Sequence, residues 1–277
     1  MIHERVHLKE TYPSLTQDPI LISYCPDNHQ EYNLDTTRAC VLVLPGGGYD
    51  FVSEREGEPV ALRIAGNDIA AFRLDYTISP NIIYPNPVAE VYAAIAYIRK
   101  HASYYHVDPN RISVMGFSAG GHLAAATAML HEEQEFADYL GINLEDMKVN
   151  GCILGYPVIS MEFGHLRTTI NITQERADLK EKFSIEKHIT PNFPKTFIWH
   201  TTFDTVVDLK NSLALAEALS ENKVFFEMHI YPMHDHGQSL ADLSVYNKNV
   251  DMQFINEIAY NSKWIDNAIH FIKEYIK

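Results

Sequence analysis

The chain has 277 residues, of which 46% are hydrophobic and 21% are charged, and its formal net charge is −14. This length is sufficient for one large hydrophobic core, and the composition is typical of a globular protein. The negative charge disfavours binding to nucleic acids and to anionic membranes, because both are bound by clusters of lysine and arginine.

The N-terminal residues MIHERVHLKE are charged and lack the apolar stretch of a signal peptide. No stretch approaches 18 uninterrupted apolar residues, so we expect no membrane span. The three cysteines (Cys25, Cys40 and Cys152) are widely spaced and indicate neither a disulfide framework nor a zinc site. We therefore expect a cytoplasmic protein.

From about residue 39, short apolar runs rich in β-branched residues alternate with longer helical patterns. This alternation predicts βαβ units around a mostly parallel sheet. The earlier run Ile20–Tyr24 predicts an antiparallel strand at the sheet edge. Because no repeat or linker interrupts the chain, we expect one domain over residues 1–277. The predicted parallel strands are 39–44, 69–74, 112–117, 151–156, 196–200 and 224–231.

Three helices are predicted from apolar residues at helical spacing, which would face the core. We expect Asn86 to cap the first helix, with Pro87 at its first position, and Ser262 to cap the third. The three apolar stripes are Val88, Val91, Tyr92, Ile95 and Ile98; Leu209, Leu213, Ala216 and Leu219; and Ile265, Ala268, Ile269, Ile272 and Ile276.

A mixed, charged segment at about residues 158–194 breaks the alternation of strands and helices. It is longer than an ordinary connection between a strand and a helix, and such insertions commonly form lids or binding loops. We predict a small lid or cap here, with an amphipathic patch around residues 177–188. The alternative is a surface helix that does not contact substrate.

Three consecutive glycines, Gly46-Gly47-Gly48, follow the first predicted parallel strand. Glycines allow the backbone to approach a ligand closely and to present its N–H groups. Lipases and esterases carry an HGGG sequence here that supplies oxyanion donors, although Pro45 replaces the histidine in this chain. We expect the amides of Gly47 and Gly48 to bind an oxyanion. A phosphate-binding loop is the alternative, but no Lys-Ser/Thr follows.

A G-x-S-x-G pattern surrounds Ser118, in the sequence Gly-Phe-Ser-Ala-Gly. The pattern alone is weak, but RISVM before it predicts a buried strand and HLAAATAML after it predicts a helix. Strand, turn and helix form the setting of a nucleophile elbow. We therefore predict Ser118 as the nucleophile and the Ala119 amide as a further oxyanion donor. The alternative is that Ser118 only caps the helix.

On such a fold, an acid and then a histidine follow the nucleophile, each after a later strand. Asp204 and His236 occupy these positions. Because parallel strands share polarity, both should lie at the same end of the sheet as Ser118. We predict a catalytic triad in which Asp204 orients His236 and His236 accepts the Ser118 proton.

Other residues near these positions leave alternatives open. His234 is the rival base, although the glycine after His236 favours His236. Asp208 and Asp235 are rival acids, and Asp208 is expected to cap the following helix. A zinc site built from His200, His234, Asp235 and His236 would leave the glycine loop and the elbow unexplained.

These motifs resemble those of acetyl-xylan-esterase and feruloyl-esterase-like α/β-hydrolases, within the wider hormone-sensitive-lipase-like esterases. Two departures are Asp235, where relatives tend to have proline, and Phe203, where an acid is common. We hypothesise that Asp235 raises the pKa of His236. The resemblance spans residues 39–275 and rests on VLPGGGY, FRLDYTISP, YPNPVAEVYAAIAYIR, VDPNRISVMGFSAGGHLAA, GYPVIS, FSIEKHIT, FIWHTTFDTVV and HDHG.

The resemblance implies an α/β-hydrolase fold, a three-layer αβα sandwich with a mostly parallel central sheet. It also implies a serine carboxylesterase for short-chain acyl esters, with acetylated sugars or xylo-oligosaccharides as candidate substrates and with no cofactor or metal. Tyr49, Phe51 and Tyr156 are predicted either to contact substrate or to pack in the core.

Two other functions remain open at this point. One is a small serine peptidase or acyl-peptide hydrolase of the same fold, and the other is a catalytically silent binding protein. The expected partner is a small ester, without nucleic acid or membrane, and a homodimer is compatible with the sequence.

Overall fold

The central feature of the fold is one eight-stranded sheet, seen in a computed structural model that describes residues 1–31, 35–232, 234–246 and 249–277. The strand order is β1-β2-β4-β3-β5-β6-β7-β8, in which β3 to β8 are parallel and β2 is antiparallel to both of its neighbours. The strands are β1 (Arg5–His7), β2 (Ile20–Tyr24), β3 (Arg38–Leu44), β4 (Ala70–Asp75), β5 (Val107–Phe117), β6 (Gly151–Gly155), β7 (Lys195–Thr201) and β8 (Phe226–Tyr231).

The structure confirms the mostly parallel sheet, and each predicted strand is present. One prediction about its edge is wrong, because β2 is not the outermost strand. The three-residue strand β1 pairs with it through Arg5↔Ile22, Val6↔Leu21 and His7↔Ile20. Such a short strand has no apolar run by which the sequence could reveal it.

Helices cover both faces of this sheet and complete three layers. Apolar side chains of α3, α4 and α8 belong to the core on one face, and those of α2 and α10 belong to the core on the other. The described helices are α1 (Leu8–Thr11), α2 (Glu58–Ala65), α3 (Val88–Lys100), α4 (Ala119–Leu130), α5 (Gln134–Leu140), α6 (Leu166–Thr173), α7 (Ala177–Lys182), α8 (Lys210–Glu221), α9 (Met252–Ile258) and α10 (Lys263–Tyr275).

Two of the three predicted apolar stripes, those of α3 and α10, are buried as expected. Burial of each valine or isoleucine side chain in these stripes contributes about 1.5–3 kcal/mol. The stripe of α8 is partly wrong, because Leu213 is 47% exposed. The buried face of α8 instead includes Asn211 and Ser212. Their side chains form hydrogen bonds with groups near the carboxyl ends of β6 and β7.

The predicted helix caps at Asn86 and Ser262 are wrong in their hydrogen bonds. Neither side chain accepts a bond from its helix. Asn86 Nδ2 instead donates to Glu90 Oε1 at 2.7 Å, and Ser262 Oγ donates to the Ala259 carbonyl at 2.7 Å. The Asp208 prediction fits better, because Asp208 Oδ1 accepts from the first amide of α8 at 2.8 Å.

The described helices are too short or too polar to cross a lipid bilayer.

Candidate active site

Ser118 lies on a sharp turn between the last residue of β5 and the first residue of α4. Its φ of 54° and ψ of −119° are unusual for a residue with a side chain. A Cβ atom on Gly116 would lie 2.1 Å from the Gly120 carbonyl oxygen, and one on Gly120 would lie 2.1 Å from that of Leu44. Both glycines are therefore required by close backbone packing around the serine.

The structure brings Ser118, His236 and Asp204 into one hydrogen-bonded chain. His236 Nδ1 lies 2.7 Å from Asp204 Oδ2, and His236 Nε2 lies 2.8 Å from Ser118 Oγ. Because a carboxylate only accepts, Nδ1 carries the proton and Nε2 is left to accept from the serine hydroxyl. This is the arrangement by which an imidazole removes a proton from serine.

The Asp204 carboxylate is fully buried and is held by several donors. Its Oδ1 accepts from the amides of Val206 and Val207, at 3.0 and 2.8 Å. Burial raises the pKa of Asp204, but hydrogen bonds from His200 and His236 outweigh it and hold the pKa well below the ordinary value. Asp204 is therefore ionised and able to orient His236 at neutral pH.

His200 is a second histidine at Asp204, and it was considered from the sequence only as a zinc ligand. Its Nε2 lies 3.3 Å from Asp204 Oδ2 and 2.9 Å from the Val207 carbonyl oxygen. Because a carbonyl only accepts, Nε2 carries the proton, and Nδ1 pairs with the Ser212 hydroxyl at 2.7 Å. The only signal in the sequence was its place at the end of a strand, four residues before Asp204.

The glycine loop lies beside Ser118, and Gly47 and Gly48 line the same pocket as the serine. Both have positive φ, of 126° and 66°. In the part of the chain that the structure describes, no protein acceptor pairs with the amide of Gly47, Gly48 or Ala119. Ala119 is the first residue of α4, where amides lack a helical acceptor and the helix dipole is positive. The three amides are thus available to a ligand.

A pocket of about 600 Å³ opens above Ser118 and His236, a size typical of small-molecule sites. Phe51 lines it and is 58% exposed, so it is placed to contact a ligand. His165 and Arg167, from the 158–194 segment, line it as well. Neither of these two residues was predicted from the sequence, because their segment contains no recognisable motif.

Tyr49 and Tyr156 lie in the core, which favours core packing over substrate contact, the two alternatives that the sequence left open for them. Tyr49 is fully buried, and its hydroxyl lies 3.0 Å from Nδ1 of His122. Tyr156 is 1% exposed and packs edge-on against the His236 ring, with the ring centroids 4.8 Å apart. Neither tyrosine lines the pocket.

The rival residues lie elsewhere or act differently. His234 Nε2 lies 3.2 Å from Glu257 Oε2 on α9, and no contact joins it to Ser118 among the described residues. Asp235 accepts from the amides of Thr205 and His236, each at 2.8 Å, and so links the acid loop to the histidine loop. In the described part of the chain, no three metal-ligating side chains form a group that could hold a metal ion.

The 158–194 segment is joined to the site at two places. Asn171 Nδ2 donates to the Gly48 carbonyl at 2.8 Å and to Asp50 Oδ1 at 2.9 Å, and Arg167 forms an ion pair with Asp50. The second place is buried, where His122 Nε2 donates at 3.0 Å to the carbonyl of Phe183, the residue that follows α7. The segment therefore rests on the glycine loop and on α4.

Comparison with known proteins places these features in a family. Residues 36–219 match the BD-FAE family model. Over 223 residues, 76% of this chain, the sequence is 35% identical to endo-1,4-beta-xylanase B of Butyrivibrio fibrisolvens, of which it covers 34%. The chain spans between 34% and 56% of the length of the curated relatives it matches.

Solved structures match over nearly the whole chain. An acetyl ester-xyloside bifunctional hydrolase from Caldicellulosiruptor lactoaceticus superimposes with a TM-score of 0.77 and 30% identity, covering 96% of both chains. A carboxylesterase from Lactobacillus plantarum superimposes with a TM-score of 0.87 and 25% identity, covering 99% of this chain and 98% of its own. With its mostly parallel sheet, its elbow and its family match, the chain belongs to the BD-FAE family of α/β-hydrolases.

Proposed function

We propose that the protein is a serine carboxylesterase for short-chain acyl esters, with Ser118 as nucleophile, His236 as base and Asp204 as the acid that orients it. The observation that carries this proposal is the continuous hydrogen-bonded chain from Asp204 through His236 to Ser118, at the floor of an open pocket. The family membership supports the same reaction class.

The proposed reaction is acyl transfer in two steps. Ser118 Oγ attacks the ester carbonyl carbon while His236 Nε2 takes its proton, and the amides of Gly47, Gly48 and Ala119 bind the resulting oxyanion. His236 then protonates the departing alcohol, which leaves an acyl group on Ser118. Water, activated by His236, attacks this acyl-enzyme and releases the acid.

We infer that acetylated sugars or xylo-oligosaccharides are the substrates. Two of the similar proteins support this class of substrate, because one is named an endo-xylanase and the other an acetyl ester-xyloside hydrolase. The exposed Phe51 ring and the polar side chains of His165 and Arg167 line the pocket, where they can contact a sugar. We also propose that the 158–194 segment acts as a cap, because it supplies two of these side chains.

A cytoplasmic location is part of the proposal. The three cysteines are buried and free, as expected of a protein from a reducing compartment. The homodimer and the lack of a nucleic-acid partner stay predictions from the sequence.

The test is hydrolysis of 4-nitrophenyl esters with acyl chains from C2 to C12. We expect wild-type turnover to fall as the acyl chain lengthens. Ser118→Ala and His236→Ala should each lower kcat by about 10⁴-fold or more, because removal of either residue disables the whole triad.

His234→Ala is the matched control, because His234 is two residues from His236 but bonds to α9 instead. Its kcat should stay within about twofold of the wild-type value. A folded wild-type protein that hydrolyses none of these esters would refute the esterase proposal. Loss of activity in His234→Ala with retention in His236→Ala would refute the assignment of the base.

A further inference from the structure

Glu56 carries a carboxylate into the protein beside the glycine loop. It lies on a 3₁₀ turn at Glu54–Glu56, is 4% exposed and also borders the pocket above Ser118. Among the described residues, no lysine, arginine or histidine forms an ion pair with it, as the pairs found there involve other acids. Burial of an unpaired charge is unfavourable, so its position calls for a specific explanation.

The two carboxylate oxygens of Glu56 accept from two different loops. Oε2 accepts from the amide of Gly46 at 2.8 Å, in the loop after β3, and Oε1 accepts from the hydroxyl of Tyr156 at 2.6 Å, just after β6. The Tyr156 oxygen in turn accepts from the amide of Ser239 at 2.9 Å, in the histidine loop after β8. One carboxylate thereby joins the three loops that surround Ser118.

The first of these bonds acts on the proposed oxyanion donors. Gly46 is held on both sides, because its amide donates to Glu56 and its carbonyl accepts from the Ser53 amide at 3.0 Å. The carbonyl of Gly46 and the N–H of Gly47 share one planar trans peptide and point in opposite directions. When Gly46 is fixed, the direction of the Gly47 N–H is fixed as well.

The second bond acts on the proposed base. The Tyr156 ring lies against the His236 ring, at 67° and with the centroids 4.8 Å apart. Its hydroxyl is bonded on both sides, to Glu56 and to Ser239. The imidazole of His236 therefore packs against a tyrosine ring whose position is fixed, and the bond to Glu56 helps to fix it.

We propose that Glu56 is a positioning residue that aligns the oxyanion loop and His236 at the same time. Glu56 does not react with the ester itself. Its carboxylate matters because each of its two oxygens accepts from a different donor, whereas a glutamine in the same place has only one acceptor oxygen. This inference rests on the proposed esterase function and names the residue that organises its site.

The test is steady-state kinetics of Glu56→Gln on 4-nitrophenyl acetate. Glutamine keeps the size of the side chain but has only one acceptor, so one of the two bonds must be lost or reversed. We expect kcat to fall by about tenfold while KM changes by less than about twofold, because alignment affects the transition state more than binding. Glu58→Gln, an exposed carboxylate two residues away, should retain wild-type kcat.

Tyr156→Phe and the double variant separate positioning from a general loss of structure. Tyr156→Phe should lower kcat by about threefold. The double variant should be no slower than Glu56→Gln alone, because both residues act through one network. Wild-type kcat in Glu56→Gln, an equal loss in Glu58→Gln, or losses that simply multiply in the double variant would each overturn the proposal.

Covalent labelling gives a second readout that needs no ester turnover. The rate at which a fluorophosphonate labels Ser118, followed by intact mass, should be slower in Glu56→Gln than in the wild type. Tyr156→Phe keeps the proposal testable if Glu56→Gln does not fold. Wild-type protein that hydrolyses esters while Glu56→Gln matches it refutes only this inference, whereas wild-type protein that neither hydrolyses esters nor is labelled refutes both proposals.

Discussion

At the scale of single residues, Glu90 shows how burial changes the chemistry of a carboxyl group. It is fully buried on the first turn of α3. It accepts from the amide of Thr77 at 2.7 Å, from the Thr77 hydroxyl and from Asn86 Nδ2. Burial raises its pKa to about 7, and the bonds from Thr77 offset only part of that shift.

This pKa predicts a pH-dependent effect of Glu90→Gln on stability. The ordinary pKa is 4.5 and the folded one is about 7, so the folded state binds more protons between these values. The free energy of unfolding of the wild type therefore falls as the pH rises through this window, by up to about 3 kcal/mol. Glutamine carries no charge, so the stability of the variant relative to the wild type should increase from pH 5 to pH 8.

Urea unfolding at pH 5, 6, 7 and 8 measures this difference, with the exposed Glu217→Gln on α8 as the control. The buried His122, whose pKa is lowered to about 4 by burial, gives a slope of opposite sign below about pH 6.5. That slope is common to both proteins and cancels. A stability difference that is constant across the four pH values would contradict the prediction.

The relative positions of residues could be predicted from the sequence where chain order and strand ends determine them. Ser118, Asp204 and His236 each follow a strand of the parallel set, and the structure brings them within hydrogen-bonding distance. The role of Glu56 was not predicted, because it depends on bonds to loops that are distant along the chain. His200 was considered only as a zinc ligand, since its bond to Asp204 depends on how the turn after β7 folds. A charged residue in a polar turn has the same sequence pattern whether it is exposed or buried.

At the scale of elements, α6 is bound to the glycine loop by Asn171. The side-chain nitrogen of Asn171 donates both to the carbonyl of Gly48 and to the carboxylate of Asp50. Gly48 has no side chain to restrain it, and its φ of 66° lies in the left-handed region that glycine adopts most readily. The helix therefore supplies a restraint that the loop itself lacks.

Asn171→Ala should release this restraint. Without its two bonds, Gly48 should sample other orientations, and we expect kcat/KM for 4-nitrophenyl acetate to fall by about three- to tenfold. Hydrogen exchange at residues 46–51 should become faster. Asn192→Ala is the control on the same segment, because Asn192 bonds to Glu132 and does not line the pocket. Unchanged kinetics and exchange in Asn171→Ala would show that α6 does not support the loop.

The buried face of a helix was predicted well where periodicity is strong, and a helix cap was predicted poorly where a few polar contacts determine it. The five-residue stripe of α3 is buried throughout. The cap at Asn86 was wrong, because the Asn86 amide N–H donates to the buried Glu90 carboxylate instead. The local sequence favours the cap and does not show that the Glu90 carboxylate is buried.

At the scale of the whole molecule, the sheet isolates all three thiols from solvent. Cys40 lies on β3, Cys152 lies on β6, and Cys25 follows β2; each is fully buried. Burial raises the pKa of Cys25 to about 12, and it raises those of the other two as well. Since the thiolate is the reactive form, these thiols should be inert in the folded protein.

Labelling with Ellman's reagent at pH 8 measures this protection. The native protein should react slowly, and all three thiols should react at once in concentrated urea. The native rate then reports how often the sheet opens. Fast reaction of any thiol without urea would mean that part of the sheet is less closed than the structure indicates.

The order of strands also determines when the site can exist during folding. Ser118 follows β5 and His236 follows β8, and they are 118 positions apart along the chain although their side chains are hydrogen-bonded. A chain released or truncated before β8 can close most of the sheet and still lack the histidine. Contacts between such distant segments form late, because long loops must close first. Recovery of esterase activity during refolding would thus report the docking of the final strand, long after the first collapse of the core.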